Sequence, residues 1–511
     1  MMESTDEKMT LENGSREEND DGGQQTEAVG IIFGTVGSNE FRFLVSGRVE
    51  KTDYVKAHHE DYGEVLGQVM KIERKTDLSM DKASLILEGG DVEIDEKVPA
   101  LVRVIGYRDE RGILQVPRTP FRAGEQVFKA DDRLIKEVIG LKDYTETGAY
   151  IGLLKGHDIR VEIDINSMVQ KHLSVLAKTG AGKSYITGVI IEELMKHHAT
   201  VVIIDPHGEY NSMKHEGKVS NNTTRDFGVT PRSYADVIKE FATDLTINPE
   251  AEPLKFTLRN MTARDLLELT RIKSDRKANN ALKKAMEMLM TANPNFGISD
   301  IIRVLEADEE NNNSALIAEL EYLDDSGIFA RRGTKITEIV NEGKTSIINL
   351  KGTPPEIQEL IVNRIATAFF ELRKANKIPP LMMIVEEAHN YCPQQGQVAT
   401  SRIMRTIAGE GRKFGLGLGI ISQRPAKVDK NVLSQCNTQI ILKVTNPLDL
   451  KAITSSVEGL TGNMEEEIQT LPIGTALVIG GNISMPLFVE VRPRETKHGG
   501  ESVEIIPTTR V

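Results

Sequence analysis

The chain has 511 residues, a formal net charge of −13 and two cysteines, Cys392 and Cys436. This length is enough for two or three domains with separate cores. Two thiols cannot form a disulfide framework, no secretory signal opens the chain and no apolar run approaches a membrane span, so we expect a cytoplasmic protein without a membrane partner. The acidic charge does not exclude nucleic acid, because residues 1–27 hold nine of the acids and only two bases and are predicted to form a disordered acidic tail.

Residues 28–120 are predicted to form a small β-barrel. Short apolar stretches alternate there with polar or glycine-containing turns, in VGIIFGTV, EFRFLVSG, EVLGQVMKIE, VPALVRVIGY and ILQVP. Short strands at regular spacing are typical of a closed barrel, with a β-sandwich as the alternative. We interpret residues 121–231 as a linker with one short helix near Leu134–Ile139, followed by a hairpin and the first part of an ATPase core.

The stretch from Leu173 to Asp205 has the order strand, glycine-rich loop, helix and strand. Glycine lets the backbone of such a loop turn so that successive N–H groups face a phosphate, and the next helix adds the positive end of its dipole. A lysine then reaches the β- and γ-phosphates, and a serine hydroxyl suits Mg²⁺. The nucleotide-binding segment is therefore predicted to be Lys178, Thr179, Gly180, Ala181, Gly182, Lys183, Ser184 and Tyr185, with ATP and Mg²⁺ as cofactors. The usual pattern has a glycine where this chain has Ala177.

Residues 232–333, beginning with SYADVIKEFA, are predicted to form a helical subdomain inserted between core strands. From 334 to 495 strands and helices alternate again, with strands expected at 345–350, 381–385, 416–422, 439–444 and 476–479. Strands that alternate with helices around a phosphate-binding loop predict an α/β, RecA-like fold with a mostly parallel sheet covered on both faces. Residues 496–511 are predicted to be a C-terminal tail.

Polar residues follow two of these strands at the edge where a nucleotide would bind. Glu386 and Glu387 end the strand MMIV, and the two carboxylates can divide the work of holding Mg²⁺ and accepting a proton from the attacking water. Gln423 ends the next strand, from which a polar side chain can sense the γ-phosphate. Arg412 lies between a helix and that strand, where it can project toward a neighbouring subunit. Asp205 either touches the metal shell or anchors the turn that follows it.

Five motifs then carry a resemblance. DPHGEY at 205–210, EEAHNY at 386–391, EGRKFG at 410–415, SQRP at 422–425 and SQCNT at 434–438, with the predicted barrel, resemble the HerA family of hexameric DNA translocases, which is related to the FtsK and VirB4 motors. The resemblance covers nearly everything from Val29 to Arg494. The departures from the family pattern are Ala177 in place of glycine and Glu386 where aspartate is more frequent.

The resemblance implies a function and assigns roles. Lys183 and Ser184 would bind nucleotide and Mg²⁺, with Glu386 near the metal and Glu387 as the catalytic acid. Arg412 would act in trans, and Gln423 would sense the γ-phosphate. The implied protein is a homohexameric ATP-driven translocase on double-stranded DNA that works with a NurA-type nuclease in end resection and recombinational repair. We expect DNA phosphates to be bound in the ring lumen, with Arg402 and Arg405 as candidate contacts.

Other ATPase classes fit the sequence less well. A VirB4-like secretion ATPase would have a similar core and is the alternative, while a non-hydrolysing scaffold is disfavoured by the presence of Lys183, Glu387 and Arg412. The chain contains no Asn-Lys-x-Asp motif of a GTPase and no Leu-Ser-Gly-Gly signature of an ABC ATPase.

Overall fold

The structure, a computed structural model, describes residues 27–142, 146–218, 220–272, 275–308, 313–457, 462–481, 483 and 485–500. Residues 1–26 of the predicted acidic tail and residues 501–511 of the predicted C-terminal tail lie outside the described residues. The chain divides into two compact units, residues 1–138 and 139–511. No helix in the described ranges is long and apolar enough to cross a membrane.

The first unit is built on short antiparallel strands. Its strands are β1 (Gly30–Phe33), β2 (Glu40–Val45), β3 (Tyr54–His59), β4 (Gly63–Ile72), β5 (Lys75–Thr76), β6 (Glu96–Lys97), β7 (Pro99–Arg108), β8 (Leu114–Gln115) and β9 (Gln126–Lys129), and its helices are α1 (Met80–Leu87) and α2 (Asp132–Ile139).

Six of these strands close into a barrel in the order β2-β1-β9-β3-β4-β7, because β2 also pairs with β7. Alternate residues point inward, as on β2, where Phe41 and Phe43 are buried and their neighbours are exposed. The predicted barrel is thus confirmed, but it extends beyond residue 120. The stretch interpreted as linker contains β9, which pairs with both β1 and β3. β9 is only four residues long, and such a short strand shows little alternation in the sequence.

The second unit is organised around one large sheet. Its strands are β10 (Gly148–Leu154), β11 (Arg160–Asp164), β12 (Leu173–Leu176), β13 (Val201–Asp205), β14 (Ile238–Ala242), β15 (Glu252–Pro253), β16 (Thr345–Asn349), β17 (Leu381–Val385), β18 (Leu416–Ser422), β19 (Thr438–Ile441), β20 (Thr475–Ile479) and β21 (Leu487–Val491).

The sheet order is β11-β10-β21-β20-β19-β12-β18-β17-β13-β16-β14-β15. All pairs from β19 through β15 are parallel, while β20, β21, β10 and β11 form an antiparallel extension at one edge. β12, β18, β17, β13 and β16 are buried along their whole length, as expected for parallel strands covered on both faces. The predicted α/β fold class is confirmed.

Helices cover this sheet and form the inserted subdomain. They are α3 (Ile165–Gln170), α4 (Lys183–Lys196), α5 (Asn221–Phe227), α6 (Ala263–Leu267), α7 (Arg276–Ala292), α8 (Ile298–Glu306), α9 (Ser314–Asp325), α10 (Ile336–Ile339), α11 (Pro355–Lys374), α12 (Ala399–Phe414), α13 (Lys430–Leu433), α14 (Pro447–Ser456) and α15 (Gly462–Thr470). Helices α6 to α9 lie between β15 and β16 in the chain and pack their apolar faces together, with Leu282, Ile301 and Leu320 fully buried.

One predicted helix is wrong. The stretch SYADVIKEFA contains strand β14, which pairs in parallel with β16 from Ile238 to Ala242. Its apolar residues Ile238, Phe241 and Ala242 have the i, i+3, i+4 spacing of a helix, and they also suit a strand of which most residues are buried. The pairing with β16 decides between helix and strand. The spacing of nearby residues carries no information about that pairing.

Candidate active site at the carboxyl edge of the parallel sheet

The loop after β12 has the geometry of a phosphate cradle. Gly180 and Gly182 have φ angles of 75° and 95°, a region in which side chains other than glycine are strained. Gly182 is the N-cap of α4. Backbone N–H groups of this loop find no hydrogen-bond acceptor among the described residues; they belong to Thr179, Gly180, Gly182, Lys183 and Ser184. Unpaired N–H groups at a helix N-terminus are a ready site for a phosphate.

Lys183 joins this loop to both acids of the neighbouring strand. Its Nζ donates to Glu386 Oε1 and, at 2.7 Å, to Glu387 Oε1. The three side chains are 11%, 2% and 8% exposed, respectively. Strands β12 and β17 both lie against β18 in parallel register, so their carboxyl ends meet at the same edge of the sheet.

The backbone at Glu387 explains why both acids reach one lysine. Consecutive side chains of a strand point to opposite faces, so a regular strand would keep the two carboxylates apart. Glu387 instead adopts φ 50° and ψ 44°, the left-handed region that costs a residue with a side chain about 1–2 kcal/mol. This turn ends the strand and directs the carboxylate back to Lys183.

The site carries an excess of negative charge. Burial lowers the pKa of Lys183, but the carboxylates of Glu386 and Glu387 outweigh it and leave the pKa raised. Burial also raises the pKa of Glu386, and the opposing effect of Lys183 does not cancel it. A single ammonium group cannot neutralise two buried carboxylates, so the site would stabilise a further positive charge.

The residues present fit Mg²⁺ in this respect. The Ser184 hydroxyl and the Glu386 carboxylate are hard oxygen donors next to the cradle, and Mg²⁺ in nucleotide sites is held by one or two such protein groups together with phosphates and water. The described residues contain no cluster of three or more His, Cys, Asp or Glu that could hold a metal ion by themselves.

A second set of polar contacts links β18 to the same site. Thr179 Oγ1 donates to Gln423 Oε1 across the cradle. His389 Nδ1 lies 3.2 Å from Glu387 Oε2 and 3.2 Å from Ser422 Oγ. Glu387 Oε2 is buried and makes no hydrogen bond in the described part of the chain. Burial lowers the pKa of His389, which favours the neutral imidazole beside the carboxylate.

Asp205 anchors a turn. Its Oδ1 accepts the N–H groups of His207 and Gly208 at 3.2 and 2.9 Å, and its Oδ2 accepts that of Tyr210 at 3.0 Å. Burial raises the pKa of Asp205, and these hydrogen bonds oppose the shift. The turn positions Tyr210, whose hydroxyl donates to Glu386 Oε2 at 2.8 Å. Of the two alternatives for Asp205, the geometry supports the anchor.

Arg412 lies away from these residues. It is in the last turn of α12, before the amino end of β18, whereas the cradle lies at the carboxyl edge. β18 has seven residues, so the two edges are roughly 20 Å apart at about 3.3 Å per residue. Arg412 lines a cavity together with Lys171, Lys413 and Gln435, and no acid pairs with it in the described part of the chain.

A buried ion cluster packs against α4, the helix that follows the cradle. Arg492 donates to Glu192 at 3.0 Å and to Glu193 at 2.7 Å, and all three side chains are buried. The chain after Arg492 continues along α4, where Arg494 N donates to the hydroxyl of Tyr185 at 2.9 Å and Thr496 N donates to Glu192 at 2.9 Å. Thr496 is buried, so the predicted C-terminal tail begins as a packed segment.

Sequence reasoning missed two members of the site. Tyr210 and His389 stand within the motifs DPHGEY and EEAHNY, but neither received a role. A signal was present in both cases, since an aromatic side chain with a polar group, or a histidine, close to a predicted site residue is a candidate partner for it. Only the fold shows that they contact Glu386 and Glu387.

Comparison with known proteins finds similar chains. Residues 149–369 match the model of the HerA helicase central domain. The chain is 29% identical to the probable DNA double-strand break repair helicase HerA of Methanocaldococcus jannaschii, over 93% of this chain and 97% of that protein. It is 27% identical to the DNA double-strand break repair helicase HerA of Pyrococcus furiosus, over 94% and 96% of the two chains.

Among solved structures, VirB4 of Thermoanaerobacter pseudethanolicus aligns with a TM-score of 0.49 and 16% identity, covering 69% of this chain and 97% of that one. The predicted resemblance is confirmed: this chain is similar to HerA helicases over more than nine-tenths of its length, and residues 149–369 match the model of their central domain.

Proposed function

We propose that this chain is a ring-forming ATPase that moves along double-stranded DNA. The observation that carries the proposal is the meeting of Lys183, Glu386 and Glu387 beside an unpaired phosphate cradle. It occurs in a chain related to proteins named as DNA double-strand break repair helicases. Catalytic machinery and kinship therefore support the same function.

The chemistry follows from the positions of the side chains. Lys183 exchanges the two carboxylates for the β- and γ-phosphates of ATP, which leaves Glu386 and Ser184 to hold Mg²⁺. The metal, when bound, neutralises phosphate charge and orients the phosphates. Glu387 Oε2 accepts a proton from the attacking water, and Gln423, already hydrogen-bonded to Thr179, senses the γ-phosphate.

Two substitutions test this assignment. Glu387→Gln keeps the shape of the side chain but not its basicity, so ATP binding should persist while turnover falls by roughly a hundredfold or more. Lys183→Ala should weaken ATP binding itself. ATPase rates with and without linear duplex DNA, together with the affinity for a fluorescent ATP analogue, separate these effects. Normal hydrolysis by Glu387→Gln would refute the role of that residue, and an ATPase indifferent to DNA would favour the VirB4-like secretion ATPase.

The ring accounts for the position of Arg412. An arginine far from its own cradle can complete the site of a neighbour, and such a head-to-tail interface must close into a ring or continue as a filament. The resemblance to HerA selects a homohexamer. Arg412→Ala and Glu387→Gln should each be nearly inactive, but mixed rings should regain activity at interfaces that combine an intact arginine with an intact glutamate. If every subunit had a complete site of its own, mixing would restore nothing.

The same kinship supports a role in DNA end resection with a NurA-type nuclease. Linear duplex DNA should then be degraded in the presence of ATP only when both proteins are present, and Glu387→Gln should abolish the joint reaction. Efficient degradation with the Glu387→Gln motor would show that the nuclease does not depend on translocation.

A further inference from the structure

Two loops beyond the catalytic residues are fastened to each other. We call residues 393–398 and 424–430 the paired loops; the first follows the turn that carries Glu387, and the second follows Gln423. Pro393 and Val428 form an antiparallel bridge. Gln394 N donates to Lys427 O at 2.8 Å, and Lys430 N donates to Gln394 Oε1 at 2.8 Å. The paired loops therefore form one surface feature attached to both halves of the active site.

The paired loops present positive charge. Arg424, Lys427 and Lys430 are exposed, and in the described part of the chain none of them forms an ion pair. Of the acids close to them, Asp429 is buried and pairs with Arg405 at 2.6 Å, and Asp449 accepts the N–H of Ala426 at 2.9 Å. Three cations without acidic partners within seven residues stand out in a chain whose net charge is −13.

Arg405, a predicted DNA contact, adjoins the paired loops. Its Nε donates to the buried carboxylate of Asp429 at 2.6 Å, and its side chain remains 39% exposed. Arg424, Lys427 and Lys430 lie on the adjoining surface, where no ion pair with another described residue holds them.

The composition of the paired loops selects among nucleic-acid ligands. Across from the cations, Gln394, Gln395 and Gln397 are exposed amides that can donate to phosphate oxygens. Neither loop contains Phe, Tyr or Trp, the side chains on which unpaired bases stack. Cations and amides without stacking residues suit the backbone of a duplex more than a single strand.

We propose that the paired loops bind the phosphate backbone of duplex DNA and transmit its movement to the ATPase site. The proposal rests on the proposed function and names its DNA-contacting surface. Between the loops and the cradle lies a cavity of about 700 Å³ whose lining includes Thr179, His389, Gln423, Arg424 and Lys427. Because the loops also continue directly from the turn of Glu387 and from Gln423, a shift of the loops acts on the residues that are proposed to activate water and to sense the γ-phosphate.

A second group of cations, Lys171, Arg412 and Lys413, lies at the opposite edge of the sheet, and within the described ranges none of the three forms an ion pair. We assign that group to the nucleotide of a neighbouring subunit and the paired loops to DNA. If the two assignments were exchanged, variants of the paired loops would lose nucleotide binding and keep DNA binding.

The test is the salt dependence of DNA binding by a variant with Arg424→Gln, Lys427→Gln and Lys430→Gln. Affinity for a fluorescein-labelled duplex of mixed sequence is measured by anisotropy over a range of NaCl concentrations. Each phosphate contact contributes about 0.9 to the slope of log affinity against log salt, so the variant should lose about 2.7. The control replaces one arginine and two lysines that are also exposed but lie elsewhere, Arg332→Gln, Lys277→Gln and Lys377→Gln, and should keep the slope of the unaltered chain.

The outcomes separate this proposal from the proposed function. If the unaltered chain shows no salt-dependent DNA binding, the proposed function fails. If it binds but the variant and the control have equal slopes, or if the variant loses affinity for a fluorescent ATP analogue and keeps the DNA slope, the assignment of the paired loops is overturned. Should circular dichroism show that the triple variant is unfolded, Lys430→Gln alone provides the measurement, with an expected loss of about 0.9.

Discussion

Lys183 should stabilise the protein even without nucleotide, and Lys183→Met tests this. Methionine keeps much of the aliphatic length but removes the charge that Glu386 and Glu387 share. All three side chains are nearly excluded from solvent, so water screens the change very little. Removing one partner from a buried ion pair costs about 3–5 kcal/mol.

Protonation sets an upper limit to that loss. A carboxyl group with an ordinary pKa of about 4.3 costs about 3.7 kcal/mol to protonate at pH 7 and about 1 kcal/mol at pH 5. The variant can escape the repulsion by protonating one acid, so its deficit should be at most about 3.7 kcal/mol at pH 7 and about 1 kcal/mol at pH 5. The sign is that of an acid whose pKa is raised in the folded state: stability is lost as the pH rises above the unfolded value.

Urea unfolding at several pH values measures this deficit. The chain has no tryptophan, so circular dichroism is a better signal than intrinsic fluorescence. The matched control is the double variant Lys183→Met with Glu386→Gln, which removes one of the two uncompensated charges and should recover part of the stability at pH 7. A Lys183→Met protein as stable as the unaltered chain at pH 7, or one with a deficit that grows toward pH 5, would refute the reasoning.

Three further predictions concern single residues. Asp205→Ala leaves three backbone N–H groups without an acceptor and should cost about 3 kcal/mol or more in urea unfolding, whereas Asp205→Asn, which can still accept two of them, should cost less. His389→Ala should lower kcat by roughly tenfold or more while ATP affinity persists, because the imidazole next to Glu387 positions the base; an unchanged kcat would remove His389 from the mechanism. Gly182→Ala, at φ 95°, should abolish binding of a fluorescent ATP analogue in a protein that still folds, and retained binding would contradict the cradle geometry.

Local patterns were sufficient for much of the fold. The strands 381–385 and 416–422 were predicted with the bounds that β17 and β18 have, because long apolar runs between polar turns leave little ambiguity in a buried parallel sheet. The predicted helix in SYADVIKEFA failed for the opposite reason. Its spacing suits either element, and only the pairing of β14 with a strand more than a hundred residues later resolves it.

The candidate site also has one part that could be predicted from the sequence and one part that could not. The cradle could be predicted because its glycines, lysine and serine are neighbours in the chain, so that one short motif contains all the groups that bind phosphate. The contacts of Glu387 could not, because its left-handed backbone and its neighbour His389 depend on how β17 ends against β18. The residues that were missed are fixed by contacts between separate strands, Tyr210 with Glu386 and His389 with Ser422.

The ion cluster behind the cradle has a consequence for anyone who shortens this chain. A protein truncated before Arg492 would leave Glu192 and Glu193 buried in α4 without the guanidinium that now neutralises them. Loss of ATP binding in such a truncation would then report a distorted helix rather than a nucleotide contact made by the C-terminus. Truncations in this region can be interpreted only beside Arg492→Met, which removes the charge and leaves the rest of the segment in place.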